Sequence, residues 1–268
     1  MDESADQTLS GWRLQGRRVL VTGGSRGLGE AIVKRLVAEG CTLAVCARGV
    51  GQLQQLAERI EQRGRTPVFT RALDVAAPEL LEDFVGDAAA RLGGLDGVVA
   101  CAGGASGRGL EGASAQDWMR TWELNAGHAA RLLAASAPHL RAAGGGSAVI
   151  VASISGWKPG PQAQYGAAKA AQIHLAASLA RELGADDIRV NAVSPGSMLI
   201  PGKRWDRMRQ EDPGAYAAFT REVPSGELVR PEEVAAVVTF LLSDQASGIS
   251  GANIPVDRAQ NSPTPQGY

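Results

Sequence analysis

From Arg17 onward, unbroken apolar runs and amphipathic helical stretches take turns along the chain. "RRVLVTGG", "CTLAVCAR", "LDGVVACAGG", "SAVIVASIS" and "DIRVNAVSPG" are short and apolar at consecutive positions rather than alternate ones. A strand of that kind needs cover on both faces, which an all-parallel sheet between two helical layers provides. The intervening stretches have helical spacing: Ile32, Val33, Leu36 and Val37 line one face of "GLGEAIVKRLVAEG", which stops at Gly40. The pattern predicts an α/β fold, a doubly wound parallel sheet of about seven strands flanked by helices. A long helix is expected from about Ser114 to Ala142. With no repeat and no linker, residues 11–268 read as a single dinucleotide-binding catalytic domain, preceded by a disordered acidic tail at residues 1–10.

Only residues 197–230 break the rhythm. They are charged, aromatic and bounded by prolines, and longer than an ordinary connection, which predicts a substrate lid. Met198, Leu199, Trp205, Met208, Tyr216 and Phe219 within it suit an apolar substrate face, a core contact or a subunit contact equally well.

Charge and cysteine content narrow the partners. A net charge of −1 gives no basic footprint for nucleic acid or an anionic membrane. No apolar run has the length of a membrane span, and "MDESADQTLS" is too polar for a secretory signal. Three cysteines, Cys41, Cys46 and Cys101, do not form a disulfide framework and fit a reducing cytoplasm. The histidines lack ligand spacing, so no metal site is expected.

The chemistry-bearing residues fall where apolar runs end. "VTGGSRGLGEAI" is a glycine turn between the first strand and the first helix; Gly23, Gly27 and Gly29 suit a tight turn, approach to phosphate and close helix packing. A helix N-terminus there offers free N–H groups to a pyrophosphate. No Lys-Ser/Thr pair follows, so the turn is not a P-loop. Arg48 stands after the second strand where an acid would bind a ribose 2′-hydroxyl, and Arg26 lies within the turn. Two guanidiniums favour a 2′-phosphate, hence NADP(H) over NAD(H), although two solvated arginines have the same spelling. Asp74, past the third strand, fits an adenine contact or a plain turn.

In "AQYGAAKAAQIHLAASLAREL", Tyr165 and Lys169 sit four apart on one helix face, about 6 Å along the axis. This is either a phenol made more acidic by a cation or a packed tyrosine with a solvated lysine. Lowering a phenol from about 10 to about 7 takes roughly 4 kcal/mol. Ser153 ends the fifth strand, and the Gly/Pro-rich segment after it lets the chain return towards Tyr165. Asn125 and Gly127 sit inside the long helix despite poor propensity.

Taken in order, "TGGSRGLG", "CAGG", "LNAG", "S…YGAAK", "NAVSPG" and the C-terminal "GELVRPEEVAAVVTFLLSDQASGISGANIPVD" closely resemble the short-chain dehydrogenase/reductase family, 3-oxoacyl reductase-like members included. The resemblance implies a Rossmann-type fold and a catalytic tetrad of Asn125, Ser153, Tyr165 and Lys169. Tyr165 would be the general acid/base, Lys169 would assist it and hold the nicotinamide ribose, and Ser153 would bind the substrate oxygen. Asn125 would hold a water that connects Lys169 to solvent. The implied cofactor path runs over Gly23, Ser25, Arg26, Gly27, Leu28 and Gly29, then Arg48, Asp74, Val75, Ala102 and Gly103. It ends at Tyr165, Lys169, Pro195, Gly196 and Ser197. The implied reaction is hydride transfer between NADP(H) and a carbonyl or secondary alcohol, as in a ketoreductase, by a cytoplasmic homodimer or homotetramer. The alternative is a non-catalytic NADP(H)-binding sensor or scaffold. Two residues depart from the family pattern: Cys101 replaces an asparagine, and Arg258 a glycine near the C-terminal turn.

Overall fold

The computed structural model describes residues 12–62 and 68–261, so the expected N-terminal tail lies outside the described residues. The strands are β1 (Arg18–Thr22), β2 (Thr42–Ala47), β3 (Phe69–Ala72), β4 (Gly97–Ala100), β5 (Gly146–Val151), β6 (Ile188–Pro195) and β7 (Asn253–Val256). They form one seven-stranded sheet in the order β3-β2-β1-β4-β5-β6-β7, with every pairing parallel.

The unbroken apolar runs are explained by what covers each face. Val19 and Val21 of β1 join the core under α1 (Gly27–Ala38) and α9 (Pro231–Leu242), with Ile32, Val33, Leu36, Val234 and Val238. Leu20 of the same strand points the other way, into a core with α3 (Pro78–Leu92), α5 (His128–Ala142) and α6 (Ala163–Leu183), beside Phe84, Leu132 and Ala176. Each such side chain gains about 1.5–3 kcal/mol from burial. A polar residue at either parity would forfeit that gain. The second helix, α2 (Val50–Glu61), covers the β2 side of the first core through Leu53 and Leu56.

The expected long helix is interrupted. Its first part, α4 (Ala115–Trp122), starts with a capping box between Ser114 and Asp117, and a five-residue π-turn at Glu123–Gly127 separates it from α5. The irregular segment closes on itself: Leu199 N donates to Val229 O and Val229 N to Ser197 O. Between those ends stand α7 (Arg204–Glu211) and α8 (Pro213–Thr220), joined by Trp205 stacked on Phe219 with ring centroids 3.7 Å apart. These two aromatics therefore satisfy each other. Among the described residues no helix is long and apolar enough to cross a membrane.

Arg258 adopts a left-handed backbone, φ 51°, as does Ala259, φ 63°. The turn a glycine would favour is thus kept. The Arg258 guanidinium donates to Glu227 at the end of the excursion and to Glu233 of α9, each at 2.7 Å.

At the amino ends of β1 and β4, the opposite end of these strands from the functional residues, Asp96 accepts from Arg18 N, Nε and Nη2 at 2.7–2.9 Å. Burial works to raise the Asp96 pKa, but the bonds from the Arg18 side chain and backbone outweigh it, and the net direction is downward. A depressed carboxylate stabilises the fold above its unfolded pKa near 4 and loses that contribution as pH falls through its lower folded value. Asp96→Asn is expected to cost about 2 kcal/mol, because bonds to a charged group are among the stronger ones. That corresponds to a Tm lower by roughly 4–8 °C at pH 7, and the gap to the parent should narrow as pH falls below the ordinary carboxylate range. Thermal melts across pH check both; an equal gap at every pH would remove the electrostatic account.

Candidate active site

In a sheet of this order the strand sequence reverses between β1 and β4, and crevices form outside the carboxyl ends at such a point. A cleft of ≈ 600 Å³ lies there. The β1–α1 turn forms one wall. A Cβ on Gly29 would come within 2.9 Å of Gly24 Cα and closer still to Gly23 O, so only glycine lets the helix sit this near the turn. Gly23, with φ 71°, takes a left-handed conformation at the same turn.

Of the expected cofactor residues, Gly23, Ser25, Arg26, Gly27, Leu28 and Gly29 line this cleft. So do Arg48, Asp74, Val75, Ala102, Gly103, Tyr165, Lys169, Pro195 and Gly196. Ser197 is not among the lining residues: its N–H and hydroxyl are taken by Gln260 at 2.8 and 3.1 Å, which anchors the start of the irregular segment. Asp74 also accepts from Ala76 N, so it shapes its own turn while facing the cleft. Met198, one of the residues expected to suit a substrate face, lines the cleft, and Lys203, Ile200 and Gln52 do as well. Sequence reading missed these last three; Lys203 and Ile200 lie in the irregular segment, where no periodicity indicates direction.

Ser153, Tyr165 and Lys169 converge at the inner end of the same cleft. Ser153 follows β5 and accepts from Ser155 N at 3.1 Å, capping the short 3-10 turn Ile154–Gly156. Tyr165 stands in the first turn of α6 and bonds the Ser153 hydroxyl. Lys169, one turn on, is 3% exposed, with Nζ 5.5 Å from the Tyr165 ring centroid. It donates to Val151 O and Gln172 Oε1, both at 2.8 Å.

Asn125 does not line the cleft. It is buried in the π-turn, with Nδ2 donating to Gly104 O and Thr121 O at 2.7 Å and Oδ1 accepting from Gly104 N. This explains its place in a helix: the widened turn lets an amide tie α4 to the β4 loop, and π-turns are concentrated at functional sites.

The electrostatics differ from the sequence expectation of a phenol acidified by its lysine. Burial raises the Tyr165 pKa and the Ser153 bond draws it down, with a net upward direction. Burial also presses Lys169 down to about 7. Desolvation disfavours both charged forms at once, so the amine is only part-charged near neutrality and the phenol holds its proton. Cys101 lines the cleft beside Lys169 and Tyr165, and burial pushes its thiol up to about 12, so it is uncharged near neutrality. Cys41 and Cys46 are buried, free thiols. His128 is a buried core residue: it sits against Leu124 O at 2.9 Å and Thr22 Oγ1 at 3.2 Å, and burial depresses it to about 4. Among the described residues no cluster of His, Cys, Asp or Glu is arranged to hold a metal.

The family model described as Enoyl-(Acyl carrier protein) reductase matches residues 23–258. The chain belongs to the short-chain dehydrogenase/reductase family. Isoepoxydon dehydrogenase of Aspergillus clavatus is 33% identical over 91% of this chain and 94% of its own. The 3-oxoacyl-[acyl-carrier-protein] reductase MabA of Mycobacterium tuberculosis is 33% identical over 90% of this chain and 91% of its own. L-sorbose reductase from Gluconobacter frateurii, solved with NADPH and L-sorbose, superposes with a TM-score of 0.86 at 30% identity, covering 94% of this chain and 99% of that one. This short-chain dehydrogenase/reductase is accordingly an oxidoreductase that acts on CH–OH or C=O groups of a small molecule with a nicotinamide cofactor.

Proposed function

We propose that the protein is an NADPH-dependent carbonyl reductase in which Tyr165 delivers the proton. The observation that carries this reading is the convergence of Ser153, Tyr165 and Lys169 at the inner end of the cleft that the glycine turn opens. The residues present fit a dinucleotide: a turn that admits no Cβ at Gly29, the N-terminal end of α1, and three exposed cations, Arg26, Arg48 and Lys203. None of the three has a carboxylate partner among the described residues. Arg26 and Arg48 would hold a 2′-phosphate, and Asp74 the adenine end.

When bound, the nicotinamide supplies or accepts the hydride. Ser153 hydrogen-bonds the substrate oxygen and steadies the charge that grows on it. Tyr165, protonated across the physiological range, gives its phenolic proton to that oxygen, and the Lys169 charge limits the cost of the phenolate left behind. The protonated phenol is the state from which reduction starts. Asn125 acts from behind, fixing the Gly103–Gly104 loop.

The excursion of residues 197–230 is assigned as the substrate lid, since Met198, Ile200 and Lys203 reach the cleft from it. The half-exposed Trp118 and Trp122 with exposed Met119 on α4 give a second copy an apolar face, in keeping with a homodimer or homotetramer. Free thiols suit a reducing cytoplasm.

Ketoses, cyclic diketones and 3-oxoacyl thioesters, offered with NADPH and followed by its absorbance, test the reading. NADPH consumption with at least one class is expected. Tight NADPH binding with no reduction or reverse oxidation across the panel would overturn it.

A further inference from the structure

Tyr165, Lys169 and Gln172 occupy positions i, i+4 and i+7 of α6 and so form one stripe. The mechanism above uses the first two. Gln172 is fully buried, yet both ends of its amide are committed: Oε1 accepts from Lys169 Nζ at 2.8 Å and Nε2 donates to Asn125 O at 3.2 Å. It therefore joins the amine to the π-turn. An ammonium has three protons. Val151 O and Gln172 Oε1 take two, and Nζ lies 3.2 Å from where a Cβ on Gly103 would stand, at the cleft wall. The third proton is left for the cleft.

We propose that Gln172 is a positioning residue for the reaction, which holds the Lys169 amine in place and keeps it protonated by offering an acceptor braced against the Asn125 carbonyl. The surroundings provide little else. The titratable groups facing Lys169 are Tyr165 on its own helix, Cys101 at the end of β4 and His128 at the start of α5. All three are neutral at pH 7, because burial raises the phenol and the thiol and lowers the imidazole. A buried cation without a carboxylate depends on neutral acceptors, and bonds to charged groups are stronger than neutral ones. A water in the place of Gln172 could serve as acceptor too, but it would not be braced on the π-turn.

This inference rests on the roles proposed above for Tyr165 and Lys169, but its test does not need turnover. The chain has four lysines, Lys34, Lys158, Lys169 and Lys203, so the ε-carbon resonances of ¹³C-lysine-labelled protein can be resolved and Lys169 assigned by its loss in Lys169→Arg. In the parent the Lys169 resonance is expected to titrate near 7. Gln172→Met removes the acceptor at similar length and should lower the midpoint by about one pH unit or more. Gln172→Leu serves if the Met variant does not fold. Gln172→Glu keeps an acceptor and adds charge, and should titrate at or above the parent. In reduction assays the alkaline limb should move the same way, because the charged amine is lost at lower pH. An unchanged midpoint in the Met or Leu variant, or a Glu variant titrating below the parent, would overturn the proposal. A parent that titrates as expected yet reduces no carbonyl would instead sink the reductase reading.

Discussion

Tyr165→Phe is expected to remove roughly 99% of carbonyl reduction or more, a barrier increase of about 2.7 kcal/mol. The substitution deletes one hydroxyl and leaves the ring. That ring is half-buried in the first turn of α6, and its hydroxyl bonds Ser153, whose Oγ also accepts from Ser155 N. The fold thus loses one hydrogen bond, about 1 kcal/mol, and Tm should move by only a few degrees. The reaction loses its proton donor. The neighbouring groups are not placed to replace it: the Cys101 thiol is held near 12, and Lys169 Nζ stands 5.5 Å from the ring centroid with two of its three protons held by Val151 O and Gln172 Oε1. Since the glycine turn and the three cations stand elsewhere in the cleft, NADPH affinity should change less than about threefold, well under 1.4 kcal/mol. Stopped turnover with intact cofactor binding separates loss of chemistry from loss of the site. Residual turnover above about a tenth of the parent would refute the assignment of Tyr165.

The sheet was legible in the sequence because its signal is local. Runs such as Val19–Val21 and Val98–Ala100 are apolar at every position, and both parities are buried against different helices. The glycine turn was legible for a similar reason: a steric demand at Gly29 leaves one residue type. Asn125 showed itself as a misfit in a helix, but the π-turn that resolves the misfit needs tertiary partners, Gly104 and Gln172. Gln172 itself was invisible. A glutamine at i+7 from a tyrosine looks like any polar helix residue until its complete burial is known. The phenol–lysine electrostatics were anticipated with the wrong sign, because spacing gives proximity and not desolvation. Burial raises the phenol and lowers the amine together, and no property of the sequence measures that.

The second large effect concerns cofactor choice. Arg26 and Arg48 are exposed residues from two elements, the β1–α1 turn and the end of β2, that meet at the outer part of the cleft. A 2′-phosphate between them would take charge-assisted bonds from both, whereas a 2′-hydroxyl would leave two uncompensated cations beside it. Exposure and salt reduce each contact to about 1 kcal/mol, so two contacts give roughly a thirtyfold preference. Arg26→Ser with Arg48→Asp removes both and places an acid where a ribose diol can donate to it. The kcat/KM ratio for NADPH over NADH should therefore fall by at least about thirtyfold and pass below one. The parent preference should itself weaken as salt rises, since the Debye length shrinks from about 10 Å at 0.1 M to about 3 Å at 1 M. Lys203 supplies a third cation from the irregular segment, so its replacement by Met should lower NADPH efficiency without creating efficiency for NADH. Should the double variant keep the parent's preference for NADPH, the two arginines would be solvated surface charges, and selectivity would have to come from the Lys203 side of the cleft.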